Sequence, residues 1–231
     1  MKKRAFTMIE LIFVIVVVGI LAAIMIPKLN RNASREAANQ ILTHIRYTQH
    51  LAMQDDKYEN FINNQSKLWF KMRWGIAFNN TSLYDECLID KPGIKTWKYN
   101  VFFDNSFKGN INSESEVAND IYKSGKLLSG GWSGMSTDAC KKINKELNLG
   151  KRFGITSVDF KDGCSGMQTI NFDEMGRPMK VVSVTKNRGA KRPYDRLLKK
   201  DCSITITDKR GNQTTITIEK ESGFASIKEN S

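Results

Sequence analysis

Phe6-Thr7-Met8-Ile9-Glu10-Leu11-Ile12 opens a run that stays apolar to Ile26, 21 residues with only two polar side chains, Thr7 and Glu10. As a helix rising ~1.5 Å per residue it is about 31 Å long, the thickness of a bilayer hydrocarbon core. The run therefore predicts a membrane span over 6–26. Ahead of it stands Met1-Lys2-Lys3-Arg4-Ala5, short and cationic, which keeps the amino end cytoplasmic and sends the remainder across. A cleaved secretory signal fits less well, since its apolar core runs roughly 7–15 residues before a small-residue cleavage site. Here the block is longer and Pro27-Lys28 follows it. A generic anchor explains the length but not Glu10, because a lone carboxylate in lipid costs ~2.5–3.5 kcal/mol and calls for a cationic partner.

The stretch from Lys2 to Ile12, with small Ala5 before Phe6 and Glu10 one turn into the apolar run, resembles the prepilin leader of type IV pilins and type II secretion pseudopilins. The resemblance implies a cut between Ala5 and Phe6 by a membrane prepilin peptidase, N-methylation of Phe6, and Glu10 as the fifth residue of the mature chain. Family members usually carry glycine where this chain has Ala5. Gly19 and Pro27 stand where the family has a helix-weakening glycine and proline, and with Glu10 they are the implied assembly residues. The missing cation would be the new amine of Phe6, in the same chain or in a neighbour. Implied partners are other pilins or pseudopilins, the prepilin peptidase and an inner-membrane assembly platform. The implied location is the bacterial inner membrane, crossed once, with a head in the periplasm.

Beyond Pro27, Leu29, Ala33, Ala37, Ile41 and Ile45 recur every four residues, and Ala38, Leu42 and Ala52 widen the stripe. One helix over 6–58 is expected, kinked at Pro27, its second half laid on a head formed by 59–231. Leu68 to Phe78 alternates as a strand, as do Trp97 to Phe103, Ile155 to Phe160, Thr169 to Phe172, Val181 to Thr185, Ser203 to Thr207 and Thr214 to Ile218. The expected class is α+β and type IV pilin-like, a long amino-terminal helix packed on an antiparallel sheet. A short helix is expected near Asp138 to Leu147, inside a region, 79–150, that matches nothing familiar. The run Phe172-Asp173-Glu174-Met175-Gly176-Arg177-Pro178 and the Ile/Thr hairpin after it are similar to the last strands of GspH/FimT-type minor pseudopilins. Those proteins usually end in a Gly-Arg-Val-like motif, of which Gly223-Phe224-Ala225 keeps only the glycine.

Cys87, Cys140, Cys164 and Cys202 all fall in the expected head, and an even count in an oxidising compartment reads as two disulfides, with three pairings open. A bridge between Cys164 and Cys202 would tie two late strands across a basic loop. The formal charge of +12 becomes +9 once the leader's three cations are removed, and between Arg177 and Arg210 eleven Lys/Arg face three Asp. Lys186, Arg188, Lys191, Arg192, Lys199 and Lys200 offer contacts to phosphates, anionic lipid heads or an acidic partner. Tyr194 is the single aromatic among them, too few for a base-stacking platform.

Enzymatic signatures are missing. Gly131-Trp132-Ser133-Gly134 has its second glycine one residue too early for a nucleophile elbow and no histidine partner in the head. His44 and His50 are six apart on a helix, on different faces, and read as ordinary surface or interface groups. No catalytic residue, cofactor or metal is expected. The sequence reads as a structural subunit of a secretion or pilus-like filament. The alternatives are a DNA-binding minor pilin of a DNA-uptake (competence) apparatus and, more distantly, an anchored periplasmic binding protein whose leader is never trimmed.

Overall fold

The computed structural model describes residues 7–29, 32–55, 69–183 and 189–228, with side chains in the first helix described as far as Leu21. The chain divides into two compact units, Met1–Asn32 and Ala33–Ser231.

The first unit holds one helix, α1 (Met8–Leu29). The second opens with α2 (Ala33–Gln54). The expected single helix is thus two, with non-helical Asn32 between them, and α2 belongs to the head. Asn32 directly precedes α2, a position where asparagine is strongly favoured, and residues 30–31 lie outside the described residues. Residues 1–6 and 56–58 of the expected boundaries lie outside the described residues. Among the described residues no helix is long and apolar enough to cross a membrane. The described side chains of α1 stop at Leu21, short of the ~20 residues a span takes.

In the head, β1 (Trp74–Thr81), β2 (Thr96–Phe103), β4 (Thr169–Phe172) and β5 (Pro178–Met179) form one sheet in the order β2-β1-β4-β5. A second sheet, ordered β3-β6-β7-β8, comprises β3 (Ile155–Asp162), β6 (Cys202–Asp208), β7 (Gln213–Ile218) and β8 (Ala225–Lys228). Every strand pairing is antiparallel. The chain passes from one sheet to the other after β2, β3 and β5, so neither sheet is a separable domain. The core lies where α2 meets both: Ala37, Ala38, Ile41 and Ile45 pack with Ile76 and Phe78 of β1, Tyr99 and Val101 of β2, and Ile204, Ile206, Ile216 and Ile218 of the β6–β7 hairpin. Along β6 and β7 each Ile is buried while Ser203, Thr207, Thr215 and Thr217 are half-exposed; Thr205 and Thr214 are buried as well.

Two expected strands are corrected. Trp69–Lys71 is a 3-10 turn, because the Arg73 guanidinium turns back to bond the Phe70 carbonyl (Nε–O 3.0 Å) and Phe70 leaves the sheet for a small cluster with Met179, Val182 and Ala190. Val182 is claimed by that same cluster, so 181–183 is not a strand, while Val184 and Thr185 lie outside the described residues. The expected helix near 138–147 is Thr137–Lys142 followed by a 3-10 turn at Lys145–Leu147. Most of region 104–150 forms a layer over the outer face of the first sheet, where Ala77 and Phe102 meet Val117, Leu127, Trp132 and Ile143.

Gly223, at φ 69°, sits where the β7–β8 turn crosses the β4–β5 turn, and a Cβ there would run into the Gly176 carbonyl. Gly211 has φ 84° but open space around it. Both Gly→Ala changes meet the left-handed penalty, and only Gly223→Ala adds a backbone clash. Urea denaturation should find Gly223→Ala less stable than Gly211→Ala by ~1 kcal/mol or more.

Candidate functional site

The amino-terminal unit presents apolar side chains in all directions. Met8, Ile9, Leu11, Ile12, Phe13, Val14 and the residues on to Leu21 are exposed, from 83% at Met8 to 37% at Val17. Such a surface needs another apolar phase or other helices around it. Within it, Glu10 is held by Thr7 in a capping box. The Thr7 backbone N–H (2.9 Å) and hydroxyl (2.8 Å) both donate to Glu10 Oε2, and the Glu10 N–H reaches back to the Thr7 hydroxyl at 3.4 Å. Both bonds fall on one carboxylate oxygen, and among the described residues no donor reaches the other. Ala5 and Phe6 lie outside the described residues, and so does the side chain of Pro27. Gly19 faces open space, with nothing within 4 Å of a Cβ built on it.

In the head, α2 buries a polar group that periodicity did not flag. His44 is 8% exposed, and its Nδ1 lies 2.7 Å from the hydroxyl of fully buried Tyr99. Gln40 Nε2 donates to that same hydroxyl at 2.7 Å, which leaves the Tyr99 proton able to point at a neutral His44 Nδ1. Burial pushes the imidazole below its ordinary pKa, against a smaller opposing pull from Asp120, and burial pushes the Tyr99 phenol up. His50 is exposed on the other side of the helix.

All four cysteines are bridged. Cys164–Cys202 joins the end of β3 to the start of β6 inside the main core, and Cys87–Cys140 staples the helix Tyr84–Cys87 to Thr137–Lys142 in the covering layer. That layer also rests on a buried ion pair. Lys98 Nζ bonds Thr81 O (2.6 Å), Thr96 Oγ1 (2.6 Å) and Asp90 Oδ2 (2.9 Å), and Asp90 accepts the Leu83 N–H (2.9 Å). Burial alone would raise the Asp90 pKa, but the Lys98 and Leu83 hydrogen bonds hold it low; burial lowers that of Lys98. The Phe172 to Pro178 element is a turn closed by its own acid. Asp173 accepts the N–H groups of Met175 (3.0 Å) and Arg177 (2.7 Å) and pairs with the Arg177 guanidinium at 2.7 Å. Next to it, Glu174 bridges buried Arg73 and the Tyr194 hydroxyl.

Four of the six basic candidates are among the described residues. Lys199 and Lys200 line a cleft of about 410 Å³ with Lys180, Arg196, Asp162 and Asp195. Lys191 and Arg192 are exposed away from that lining, their backbone N–H groups held by Asp195 at 3.2 and 2.9 Å. Lys186 and Arg188 lie outside the described residues. Tyr194 is already engaged, by Glu174 at its hydroxyl and by the Arg177 guanidinium 5.2 Å from its ring.

Residues 1–26 match the prokaryotic N-terminal methylation motif. No curated protein and no solved structure matches the chain.

A neutral buried His44 has a pH consequence. Its folded pKa lies below the unfolded value of ~6.5, so below that pH the unfolded chain binds a proton that the folded chain resists. The stability it contributes is full above ~6.5 and is lost as pH falls. Thermal melts from about pH 7.5 to 5.5 should fall less steeply for His44→Asn, which keeps an acceptor for Tyr99 but cannot titrate, than for the unaltered chain.

Proposed function

We propose that this chain, which its methylation motif marks as a type IV pilin-like subunit processed by prepilin peptidase, is a GspH/FimT-like minor pseudopilin or minor pilin. In this reading the peptidase cuts between Ala5 and Phe6, Phe6 is methylated, and α1 packs among the helices of other pilins in a secretion or pilus filament. The head is periplasmic, the inner membrane is crossed once, and an inner-membrane platform drives assembly. The methylation motif points to a structural rather than a catalytic subunit.

The observation that carries the reading is Glu10, an acid near the start of a helix whose every other described side chain from Met8 to Leu21 is apolar or glycine, placed one turn after the expected cut. Among the described residues its bonds to Thr7 engage one oxygen only, and in this reading the other receives the nitrogen that cleavage frees. An acid serving only to cap its own helix would need no apolar surroundings.

The alternative, a DNA-contacting minor pilin of a DNA-uptake apparatus, draws support from Lys199 and Lys200 meeting Lys180 and Arg196 at one cleft. No aromatic ring lines that cleft, which argues against stacked single strands and leaves only salt-dependent phosphate contact.

Intact-mass measurement of the chain isolated from its native membrane should give a species lacking Met1–Ala5 and carrying one added methyl group. Glu10→Gln should still be cut but should enter filaments roughly tenfold less, as expected for loss of a charge-assisted bond of about 1.5–3 kcal/mol. A chain that still begins at Met1, together with normal incorporation of Glu10→Gln, would overturn the proposal.

A further inference from the structure

The two sheets are finished differently on their outer faces. The first is covered by the 104–150 layer, while the second shows rows of hydroxyls. Strand register sets the rows: Lys161, Ser203, Thr217 and Ser226 lie side by side across the four strands, and Asp159, Thr205, Thr215 and Lys228 form the next row. Thr205 and Thr215 bond each other at 3.1 Å, whereas no hydrogen bond is made by the hydroxyls of Ser203 and Thr217 among the described residues.

These hydroxyls floor a depression of about 600 Å³ rimmed by Lys161, Lys200, Lys228, Asp162 and Asp201. It meets the 410 Å³ cleft at Asp162 and Lys200, and the joined track adds Lys180, Arg196 and Lys199. Six cations along the track face Asp162, Asp195 and Asp201. Asp195 holds the Lys191 and Arg192 N–H groups, and Asp201 accepts the Lys220 N–H at 3.0 Å. Among the described residues none of Lys161, Lys180, Lys199, Lys200 or Lys228 is in an ion pair.

We propose that this track binds an acidic polysaccharide, a sugar chain whose anionic groups pair with the lysines while its hydroxyls exchange hydrogen bonds with Ser203, Thr217 and Asp162. The occupant is anionic because the rim is cationic, and longer than one depression because the two share Asp162 and Lys200 in their linings. A polyol suits a floor of side-chain hydroxyls, which both donate and accept. The lining contains no aromatic ring, so neither stacked bases nor a neutral sugar docked on a ring face has a platform. The proposal does not depend on the filament reading.

The test uses the full chain in a non-ionic detergent, with alginate, a polyuronate, as probe and with neutral dextran and duplex DNA as comparators. The triple change Lys161→Gln, Lys200→Gln and Lys228→Gln should weaken alginate binding about tenfold or more, and Thr217→Val, which keeps shape and removes the hydroxyl, about threefold. An equal-charge control, Lys91→Gln, Lys95→Gln and Lys145→Gln at exposed sites elsewhere, should change it less than about twofold. Dextran should not bind. The proposal falls if alginate does not bind, if both triple variants weaken it equally, if Thr217→Val has no effect, or if duplex DNA binds as tightly and is lost in the same triple variant.

Discussion

The head depends on one face of α2 reaching two sheets at once. Ser34, Ala37 and Ala38 are small enough to let the helix sit close to the strands, and Ile41 and Ile45 fill the space where the sheets diverge. Losing either isoleucine would open a cavity shared by both sheets, for which Ile→Ala costs of ~2–5 kcal/mol are usual. Polar residues in the same stripe fix the register. Ser34 meets the Thr214 hydroxyl at 2.9 Å, and Gln49 donates to Gly176 O and Ser222 O, both at 2.9 Å, so one amide ties together the turns that end each sheet. Apolar burial supplies the attraction, and these bonds select one position for the helix along its axis.

Much of this was legible in the sequence because periodicity reports burial directly. The four-residue recurrence from Ala33 to Ile45 found the buried stripe of α2, and the Ile/Thr alternation of 203–218 found β6 and β7 with the correct faces. It failed where a short-range pattern was outweighed by a specific distant contact. Phe70 and Val182 alternate like strand residues, yet they cluster with each other and with Met179. His44 reads as an ordinary surface or interface group because burial of a polar side chain depends on partners far away in sequence. That partner is Tyr99, 55 residues on. Strand β5, two residues long, is too short to announce itself by alternation.

The amino-terminal site was legible in another way. A cationic leader, a small residue, an aromatic and an acid at fixed spacing carry meaning because each answers a separate requirement of charge, size or solvation. Coordinates add what spacing could not, namely that Thr7 already serves the Glu10 carboxylate on one oxygen. In the basic segment, adding up charge did not distinguish the cations from one another. Asp195 organises Lys191 and Arg192, whereas Lys199 and Lys200 join cations from β3 and β8 that lie remote in sequence.

The contact between Ser34 and Thr214 closes a loop of 180 residues, and that from Arg46 to the Ala225 carbonyl closes one of 179. A chain released amino end first, from a ribosome or through a pore, has therefore made α2 long before the strands that must cover it exist. Its apolar stripe has to wait, solvated or shielded by a helper, until the last hairpin emerges, so the head matures late and all at once rather than piece by piece.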